Sequence, residues 1–236
     1  MSGKKKVASK VLILGASSDI GIEVVKLFLK NNYVIDAHYS KNIAKLKRYK
    51  NLKIIKSNFS TENEKNILKK FSSNYSIIIN LIGYVDSQSF ENFKTLSLFN
   101  TLKVNTVIPF LIIRKSISSM KKNKFGRILN SSSIGVKFGG GINNFIYSFS
   151  KHGNEFIPQF FKKIADSNIF YNTLRIGLSN TKIHFNIKNK KLQQRVLMVP
   201  TKKMAEPASV ANYIFFVSTE ENSFITNEIL SFSGGE

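Results

Sequence analysis

The nine residues ILGASSDIG, at positions 13–21, begin with the last two residues of the apolar run VLIL at positions 11–14. An apolar strand, a glycine-rich turn and an amphipathic helix in this order are typical of a unit that binds phosphate at a helix N-terminus. Asp19 is unusual, because a carboxylate lies where a phosphate must approach the backbone. We expect its side chain to cap the helix and point away from the phosphate. The predicted dinucleotide contacts here are Gly15, Ser17, Ser18, Asp19, Ile20 and Gly21.

Further apolar runs alternate with helical patterns along the rest of the chain. They predict seven strands, at 10–15, 33–40, 51–59, 75–83, 126–133, 170–177 and 228–235. Continuous apolar strands that alternate with helices indicate a parallel sheet covered on both faces. We therefore predict an α/β fold: one Rossmann-like, doubly wound domain over residues 1–236, with a basic tail at 1–9 and a substrate flap at 182–206.

The composition restricts the class of function. The chain has 36 Lys and Arg against 14 Asp and Glu, a formal charge of +22, and no cysteine. A basic chain attracts nucleic acid, but the charges are spread out and no nucleic-acid-binding motif accompanies them, so we favour an anionic substrate or an acidic carrier protein. No metal site is predicted. No apolar run approaches the ~20 residues of a membrane span, and a cytoplasmic location is expected.

The pentapeptide YSFSK places Tyr147 and Lys151 four residues apart, on one face of a helix. A nearby ammonium favours the phenolate and is expected to lower the pKa of the tyrosine, making it a usable proton donor to a carbonyl. Such a pair also occurs by chance in many helices.

Four phenylalanines lie on roughly the opposite side of the same predicted helix: Phe145, Phe149, Phe156 and Phe160. They either form core or pack against another subunit. The second interpretation predicts a homodimer or homotetramer.

Taken in order, these motifs resemble the short-chain dehydrogenase/reductase family, and among its members the beta-ketoacyl-acyl carrier protein reductases. The resemblance covers nearly the whole chain and rests on GASSDIG, NLIG, LKVN, GRILNSSS, YSFSK, RIGLSNT and the segments near the C-terminal end. Leu81 and Ile176 depart from the family pattern, where Asn and Pro are usual.

The resemblance implies a role for each catalytic residue. Tyr147 would donate a proton to the substrate carbonyl, and Ser133, fourteen residues earlier, would hydrogen-bond the same oxygen. Lys151 would lower the tyrosine pKa and hold the nicotinamide ribose, and Asn105 would position a water linked to Lys151. Further cofactor contacts are expected at Asn80, Gly83, Gly177 and Thr181, as well as at Tyr147 and Lys151.

The preference for NAD(H) or NADP(H) depends on the residues at the end of the second strand. An acidic residue there would bind the ribose hydroxyls of NAD(H). Asp36 lies too early in the strand, and Ser40 and Lys41 follow it. A hydroxyl and an ammonium suit a phosphate, so NADP(H) is preferred and NAD(H) remains an alternative. Asn58 is predicted to contact the adenine, with Phe59 assigned to the same cofactor site.

The substrate is a ketone or secondary alcohol, free or bound to a carrier. A 3-oxoacyl thioester is favoured, with a sugar, nucleotide sugar or sugar acid as the alternative and a non-catalytic dinucleotide sensor as a further one. Arg127 matches a carrier-docking position of the family, but Asn168 departs from a second one. The flap is strongly basic through Lys182, His184, Lys188, Lys190, Lys191, Arg195, Lys202 and Lys203.

Overall fold

A computed structural model describes residues 9–186 and 191–236. Most of the basic tail, and Lys188 and Lys190 of the flap, lie outside the described residues. Seven parallel strands form one sheet in the order β3-β2-β1-β4-β5-β6-β7. The strand bounds are Lys10–Leu14, Val34–Tyr39, Leu52–Lys56, Ile77–Asn80, Gly126–Ser133, Ile169–Ile176 and Ile229–Phe232, numbered β1 to β7. The predicted doubly wound parallel sheet is confirmed.

Helices cover both faces of the sheet. In chain order α1 to α8 span Asp19–Lys30, Glu64–Lys70, Thr95–Leu102, Ile108–Asn123, Phe145–Gly153, Gln159–Lys163, Leu192–Met198 and Pro207–Val217. Three 3-10 turns lie at Ile134–Phe138, Ala165–Ser167 and Lys182–Asn186, and a π-helical turn at Lys103–Val107.

The apolar run of β1 supplies two cores. Val11 and Ile13 pack with α1 and α8 on one face, whereas Leu12 and Leu14 pack with α2 and α4 on the other. A strand buried on both faces must be apolar at every position, because successive side chains point to opposite faces. This explains why the β1 run is continuous and places the turn that follows it at the carboxyl edge of the sheet.

The helix that carries Tyr147 is shorter than the phenylalanine spacing predicted. α5 ends at Gly153, and the chain resumes helical structure only at Gln159, after Pro158. Phe156 therefore lies in the intervening loop, and the four phenylalanines do not form one helical face. Proline cannot donate a backbone hydrogen bond and disfavours helix at the preceding residue, which accounts for the break. Phe149, Phe156 and Phe160 are nevertheless exposed.

The expectation that no segment is long and apolar enough to span a membrane was wrong for one helix. Among the described residues, α3, the π-helical turn and α4 form a continuous helix over Thr95–Asn123 that is long and apolar enough to cross a membrane. Ile108, Ile112 and Ile113 of this helix are buried in the second core. Its apolar character therefore serves packing against the sheet in this fold.

Candidate active site at the carboxyl edge of the sheet

The glycine-rich turn fits close approach of a ligand to its backbone. Gly15 has a positive φ of 76°, and a Cβ there would lie 3.0 Å from the backbone of Leu81. A Cβ on Gly21 would lie 2.5 Å from the carbonyl oxygen of Gly15. The hydroxyl of Ser18 caps α1 by accepting a hydrogen bond of 3.0 Å from the backbone N–H of Gly21. The turn therefore needs both glycines, and it leaves the N-terminus of α1 at the edge of a cavity.

Asp19 does not cap α1, contrary to expectation. Its carboxylate forms an ion pair with Lys45 and accepts a hydrogen bond of 2.8 Å from the backbone N–H of Lys182. Partial burial opposes the charge, but these bonds prevail and hold the pKa of Asp19 below its usual value. Ser18 already fills the cap position, which frees Asp19 to bridge the turn and the flap.

His38 is a buried contributor to the turn that the sequence analysis missed. Its Nδ1 accepts a hydrogen bond of 3.2 Å from the backbone N–H of Gly15, and its Nε2 lies 2.9 Å from the carbonyl oxygen of Ser57. Burial lowers the pKa of His38 to about 4, so the ring is neutral and can accept at Nδ1. A lone histidine in an apolar strand gives no local signal for this contact.

The end of β2 carries no acidic residue. The strand ends at Tyr39, and Asp36 is buried within it, bound by the hydroxyl of Tyr75 at 2.6 Å. Ser40 and Lys41 follow the strand, but among the described residues the cavity wall near this point is formed by Asn42 and Lys45. The basic character expected here is therefore present, and Lys45 contributes to it.

Three predicted cofactor residues do not present free side chains. The ring of Phe59 is buried and stacks on His38 at 4.6 Å. Asn80 is fully buried, and its amide donates to Asn130 at 3.1 Å. The side-chain oxygen of Asn58 accepts from the backbone of Ser60 at 3.1 Å. Burial leaves little side-chain surface of Phe59 or Asn80 for a cofactor to contact, and their assignment to the cofactor site stays a prediction.

One cavity of about 1340 Å³ brings ten of the predicted site residues together. It extends from the glycine-rich turn to the flap. The predicted site residues that line it are Ser17, Ser18, Asp19, Ile20, Gly83, Ser133, Tyr147, Lys151, Gly177 and Thr181. Gly83 packs closely beside the reacting groups, since a Cβ there would lie 3.0 Å from Cδ1 of Ile183 and 3.8 Å from the hydroxyl of Tyr147.

Ser133, Tyr147 and Lys151 meet where β5 ends and α5 passes over the sheet. The hydroxyl of Ser133 lies close enough to the phenol of Tyr147 to affect its pKa, and it accepts a hydrogen bond of 3.2 Å from the backbone N–H of Gly135. The ammonium of Lys151 donates to the carbonyl oxygen of Ile82 at 2.6 Å and to both oxygens of Ser131 at 2.9 Å. The three N–H groups of the ammonium therefore each have an oxygen partner.

The expected effect of Lys151 on the tyrosine is not found. The Lys151 nitrogen lies 5.8 Å from the centre of the Tyr147 ring and is directed at backbone oxygens. Burial raises the pKa of Tyr147 to about 12, against a smaller opposing effect of the Ser133 hydroxyl. Burial also lowers the pKa of Lys151 to about 7. The phenol therefore keeps its proton near neutral pH, and the ammonium is the group that titrates there.

Asn105 lies in the π-helical turn and is fully buried. Its side chain accepts from the backbone N–H of Tyr84 at 2.8 Å and donates to the hydroxyl of Ser150 at 2.9 Å. The described contacts connect Asn105 to Lys151 through Asn154, whose amide donates to the Asn105 carbonyl at 3.2 Å and to Ser131 at 3.1 Å. A water between Asn105 and Lys151 stays a prediction.

An ion pair beneath the catalytic residues was also missed. The carboxylate of Glu155, just after α5, binds Arg175 of β6 through two hydrogen bonds of 2.7 and 2.6 Å. The same carboxylate accepts from the hydroxyl of Ser132 at 2.6 Å. Since Ser132 precedes Ser133, this pair ties together the two elements that carry the reacting groups.

Arg127 cannot serve as a docking residue, contrary to the expectation. It is buried, and its guanidinium donates to the carbonyl oxygens of Thr219, Asn168 and Asn222. The guanidinium also lies over the ring faces of Phe125 and Phe170. These cation–π contacts offset part of the hydration that the guanidinium loses on burial. Asn168, the second position considered, accepts from the same guanidinium and belongs to this structural cluster.

Comparison with protein families agrees with this geometry. The family model described as "Enoyl-(Acyl carrier protein) reductase" matches residues 15–236. The chain is 30% identical to the 3-oxoacyl-[acyl-carrier-protein] reductase FabG of Aquifex aeolicus over 179 residues, which cover 73% of this chain and 72% of that protein.

Solved structures show the same fold. The structure titled "ElxO with NADP Bound" is 24% identical and superposes with a TM-score of 0.82, covering 97% of this chain and 98% of the other. YwfH, an NADPH-dependent reductase involved in bacilysin biosynthesis, is 23% identical with a TM-score of 0.81, covering 96% and 97% of the two chains.

Proposed function

The chain belongs to the short-chain dehydrogenase/reductase family, and from this premise we propose that it reduces a ketone to a secondary alcohol with NADPH. The observation that carries the proposal is the convergence of Ser133, Tyr147 and Lys151 on the cavity that begins at the glycine-rich turn. Relatives named as 3-oxoacyl-[acyl-carrier-protein] reductases support a 3-oxoacyl thioester as the substrate.

The turn suits a dinucleotide. Gly15 and Gly21 leave no Cβ on the backbone that a pyrophosphate would approach, and the N-terminus of α1 provides free N–H groups. When bound, the cofactor supplies hydride to the carbonyl carbon. Ser17, Ser18 and Ile20 line the cavity at the turn and would hold the phosphates.

The absence of an acid at the end of β2 supports NADPH over NADH. Ser40, Lys41 and Lys45 are placed around this point, and each suits a phosphate. Asp36, the one carboxylate within β2, is bound by Tyr75 and Lys10 inside the sheet. Asp36 would therefore neither bind the hydroxyls of the adenosine ribose nor repel the 2′-phosphate of NADPH at the end of β2.

Ser133 and Tyr147 have different roles at the substrate oxygen. Ser133 donates a hydrogen bond to it, and Tyr147 donates the proton as the alkoxide forms. Because burial raises the pKa of Tyr147 to about 12, the phenol is protonated at neutral pH, which is the form that reduction requires. Lys151, with a pKa of about 7, would hold the ribose and could exchange a proton with it.

The spacing of Tyr147 and Lys151 favours carbonyl over enoyl reduction. These residues are one helical turn apart in α5, and Ser133 completes the set at the substrate oxygen. A sugar-type ketone is the second candidate, since Lys182 and Lys191 line the substrate side of the cavity and suit an anionic group.

A turnover screen tests the proposal. Purified protein is assayed with NADPH and NADH against acetoacetyl thioesters and a panel of keto-sugars. We expect NADPH-dependent reduction of the thioesters, lost in Tyr147→Phe. Turnover of keto-sugars alone would transfer the assignment to the second candidate, and binding of NADPH without turnover of any ketone would favour a dinucleotide sensor.

A further inference from the structure

An ion pair lies in the wall of the cavity on the substrate side. Arg195 of α7 donates through Nη2 to Oε1 of Glu236, and both residues line the cavity that contains Tyr147. The side chain of Glu236 is only 6% exposed and that of Arg195 is 24% exposed. Neither residue belongs to the set that carries out the proton transfer.

The segment that ends in Glu236 is held against the flap. The backbone N–H of Thr201 donates to the carbonyl oxygen of Gly234 at 3.2 Å, and the hydroxyl of Ser233 donates to the carbonyl oxygen of Glu236 at 3.2 Å. A Cβ on Gly235 would lie 2.9 Å from Pro200. Glu236 is therefore placed by its neighbours and is not a freely moving surface side chain.

The ion pair leaves one donor and one acceptor unused. Within residues 9–186 and 191–236, neither Arg195 Nη1 nor Glu236 Oε2 has a hydrogen-bond partner, although both atoms are buried. Buried polar atoms are nearly always paired in proteins, so such exceptions need an explanation. Here the two unpaired atoms belong to residues that line a ligand cavity, which points to a ligand as the missing partner.

The chemistry of the pair selects the kind of ligand. The pair as a whole is neutral, so it gives no net attraction to a charged ligand. Glu236 would repel a carboxylate, and Arg195 would repel an ammonium. A neutral group with one acceptor and one donor matches both free atoms. A secondary amide has this pattern: its carbonyl accepts from Arg195 Nη1 and its N–H donates to Glu236 Oε2.

We propose that Arg195 and Glu236 form a subsite for a secondary amide in the arm of the substrate, remote from the ketone. The proposal rests on the proposed function as a ketone reductase and specifies its substrate as an amide-bearing ketone. The thioester arm of an acyl carrier contains such amides. The apolar side chains of Met198 and Pro200, which line the same cavity, suit the methylene groups of an arm.

Two substrates that differ at one atom test the subsite. S-acetoacetyl-N-acetylcysteamine carries a secondary amide, and S-(2-acetoxyethyl) acetothioacetate replaces its N–H by an ester oxygen while keeping the ketone and thioester. With NADPH present, we expect kcat/KM to favour the amide at least fivefold, mainly through KM. Equal kcat/KM values for the two substrates in the wild-type protein would overturn the proposal.

Variants locate the preference at the ion pair. Glu236→Leu and Arg195→Met should reduce the amide preference to about one to twofold, and Arg195→Lys should restore part of it. Lys203→Met is the matched control, because it removes an exposed flap charge and should leave the preference unchanged. A preference that persists in Glu236→Leu and Arg195→Met also overturns the proposal.

The failure of the proposed function would look different. If neither thioester is reduced, the ketone-reductase assignment fails, and the subsite is judged by binding of the same two compounds in saturation-transfer NMR. Tighter binding of the amide to wild-type protein, abolished in Glu236→Leu, would support the subsite on its own. Equal binding of both compounds would overturn it.

Discussion

The carboxylate of Asp19 accepts a hydrogen bond of 2.8 Å from the backbone N–H of Lys182, across 163 positions of sequence. Asp19 begins α1 in the glycine-rich turn, whereas Lys182 begins the basic flap. The same carboxylate is paired with Lys45. One side chain therefore joins the glycine-rich turn to the basic flap.

Removing this link should loosen the flap. In Asp19→Ala, we expect trypsin to cleave between residues 182 and 203 at least threefold faster than in wild type, because the flap loses its bond to the turn. NADPH affinity should change by less than about tenfold, or ~1.4 kcal/mol, since Ser18 still caps α1. The rates are measured by mass spectrometry of timed digests.

The control is Asp166→Ala, which removes an acidic residue in the turn before β6 that is hydrogen-bonded to Ser167. Equal cleavage rates in Asp19→Ala and wild type would show that the bond does not restrain the flap. A hundredfold rise in NADPH affinity would instead mean that the carboxylate faces the phosphates.

The pair of Glu155 and Arg175 predicts a loss of stability. The carboxylate is 3% exposed and also accepts from Ser132, so Glu155→Gln leaves Arg175 without its charge partner in a largely buried setting. We expect the free energy of unfolding to fall by about 3 kcal/mol, as for other broken buried pairs. Urea denaturation measures this, with the exposed Glu91→Gln as control.

Kinetic measurements distinguish an ion pair that only stabilises the fold from one that also positions a catalytic residue. If the pair also places Ser133, kcat in Glu155→Gln should fall severalfold at temperatures where the variant is fully folded. A change below 0.5 kcal/mol in stability would contradict the prediction, because the contacts would then contribute no more than an exposed pair.

The sequence predicts the sheet well because each strand can be identified from its own run of apolar residues. Ile77–Asn80 and Val11–Leu14 are apolar at nearly every position, which indicates burial on both faces without reference to the rest of the chain. The carboxyl edge of the sheet follows from this, and with it the meeting of Ser133, Tyr147 and Gly15 in one region.

The missed features depend on contacts between distant residues. Glu155 and Arg175 are polar residues on different elements, and nothing in the local pattern of either indicates the other. Arg127 was expected to dock a carrier because it matches a basic position of the family, yet the carbonyl groups of Thr219, Asn168 and Asn222 surround it. Pro158 did signal the end of α5, but the spacing of the phenylalanines was given more weight.

The exposed phenylalanines predict self-association. Phe149, Phe156 and Phe160 are 54%, 70% and 42% exposed, and Phe99 of α3 is 63% exposed. Large exposed apolar groups of this kind mark interaction surfaces. We expect a dimer or tetramer in light scattering at micromolar concentration, and Phe149→Lys should shift the mass towards the 26.7 kDa monomer.

Phe224→Lys is the control, because Phe224 is 89% exposed between α8 and β7, on other elements of the fold. It should leave the mass unchanged. A wild-type protein that scatters as a monomer would contradict the prediction, and a monomer produced by Phe224→Lys alone would place the interface elsewhere.

Lys151 predicts a distinctive dependence of stability on pH. Burial lowers its pKa to about 7, whereas the unfolded chain keeps the ordinary value of about 10.4. Between these values the unfolded state binds a proton that the folded state has released, so this contribution to stability rises with pH. The difference in melting temperature between wild type and Lys151→Met should therefore move in favour of wild type from pH 7 to pH 9.5.

The comparison with Lys151→Met removes the effects of the other titrating groups, which both proteins share. Lys203→Met, which removes an exposed ammonium of the flap, provides the matched control. A wild-type to Lys151→Met difference that is constant over this range would mean that Lys151 stays protonated in the folded state.

The last prediction concerns the proton transfer itself. Tyr147→Phe removes one hydroxyl and keeps the ring, so turnover should fall by the ~10²–10⁴ typical of a lost general acid, with NADPH affinity nearly unchanged. Ser133→Ala should lower turnover alone, because it removes the bond to the substrate oxygen. Lys151→Ala should lower both turnover and NADPH affinity. Tyr213→Phe, in α8, is the control for loss of a phenol elsewhere. The pattern over the three variants is decisive, since any disruptive substitution can lower a rate. Wild-type turnover in Tyr147→Phe would refute the mechanism whatever the substrate is.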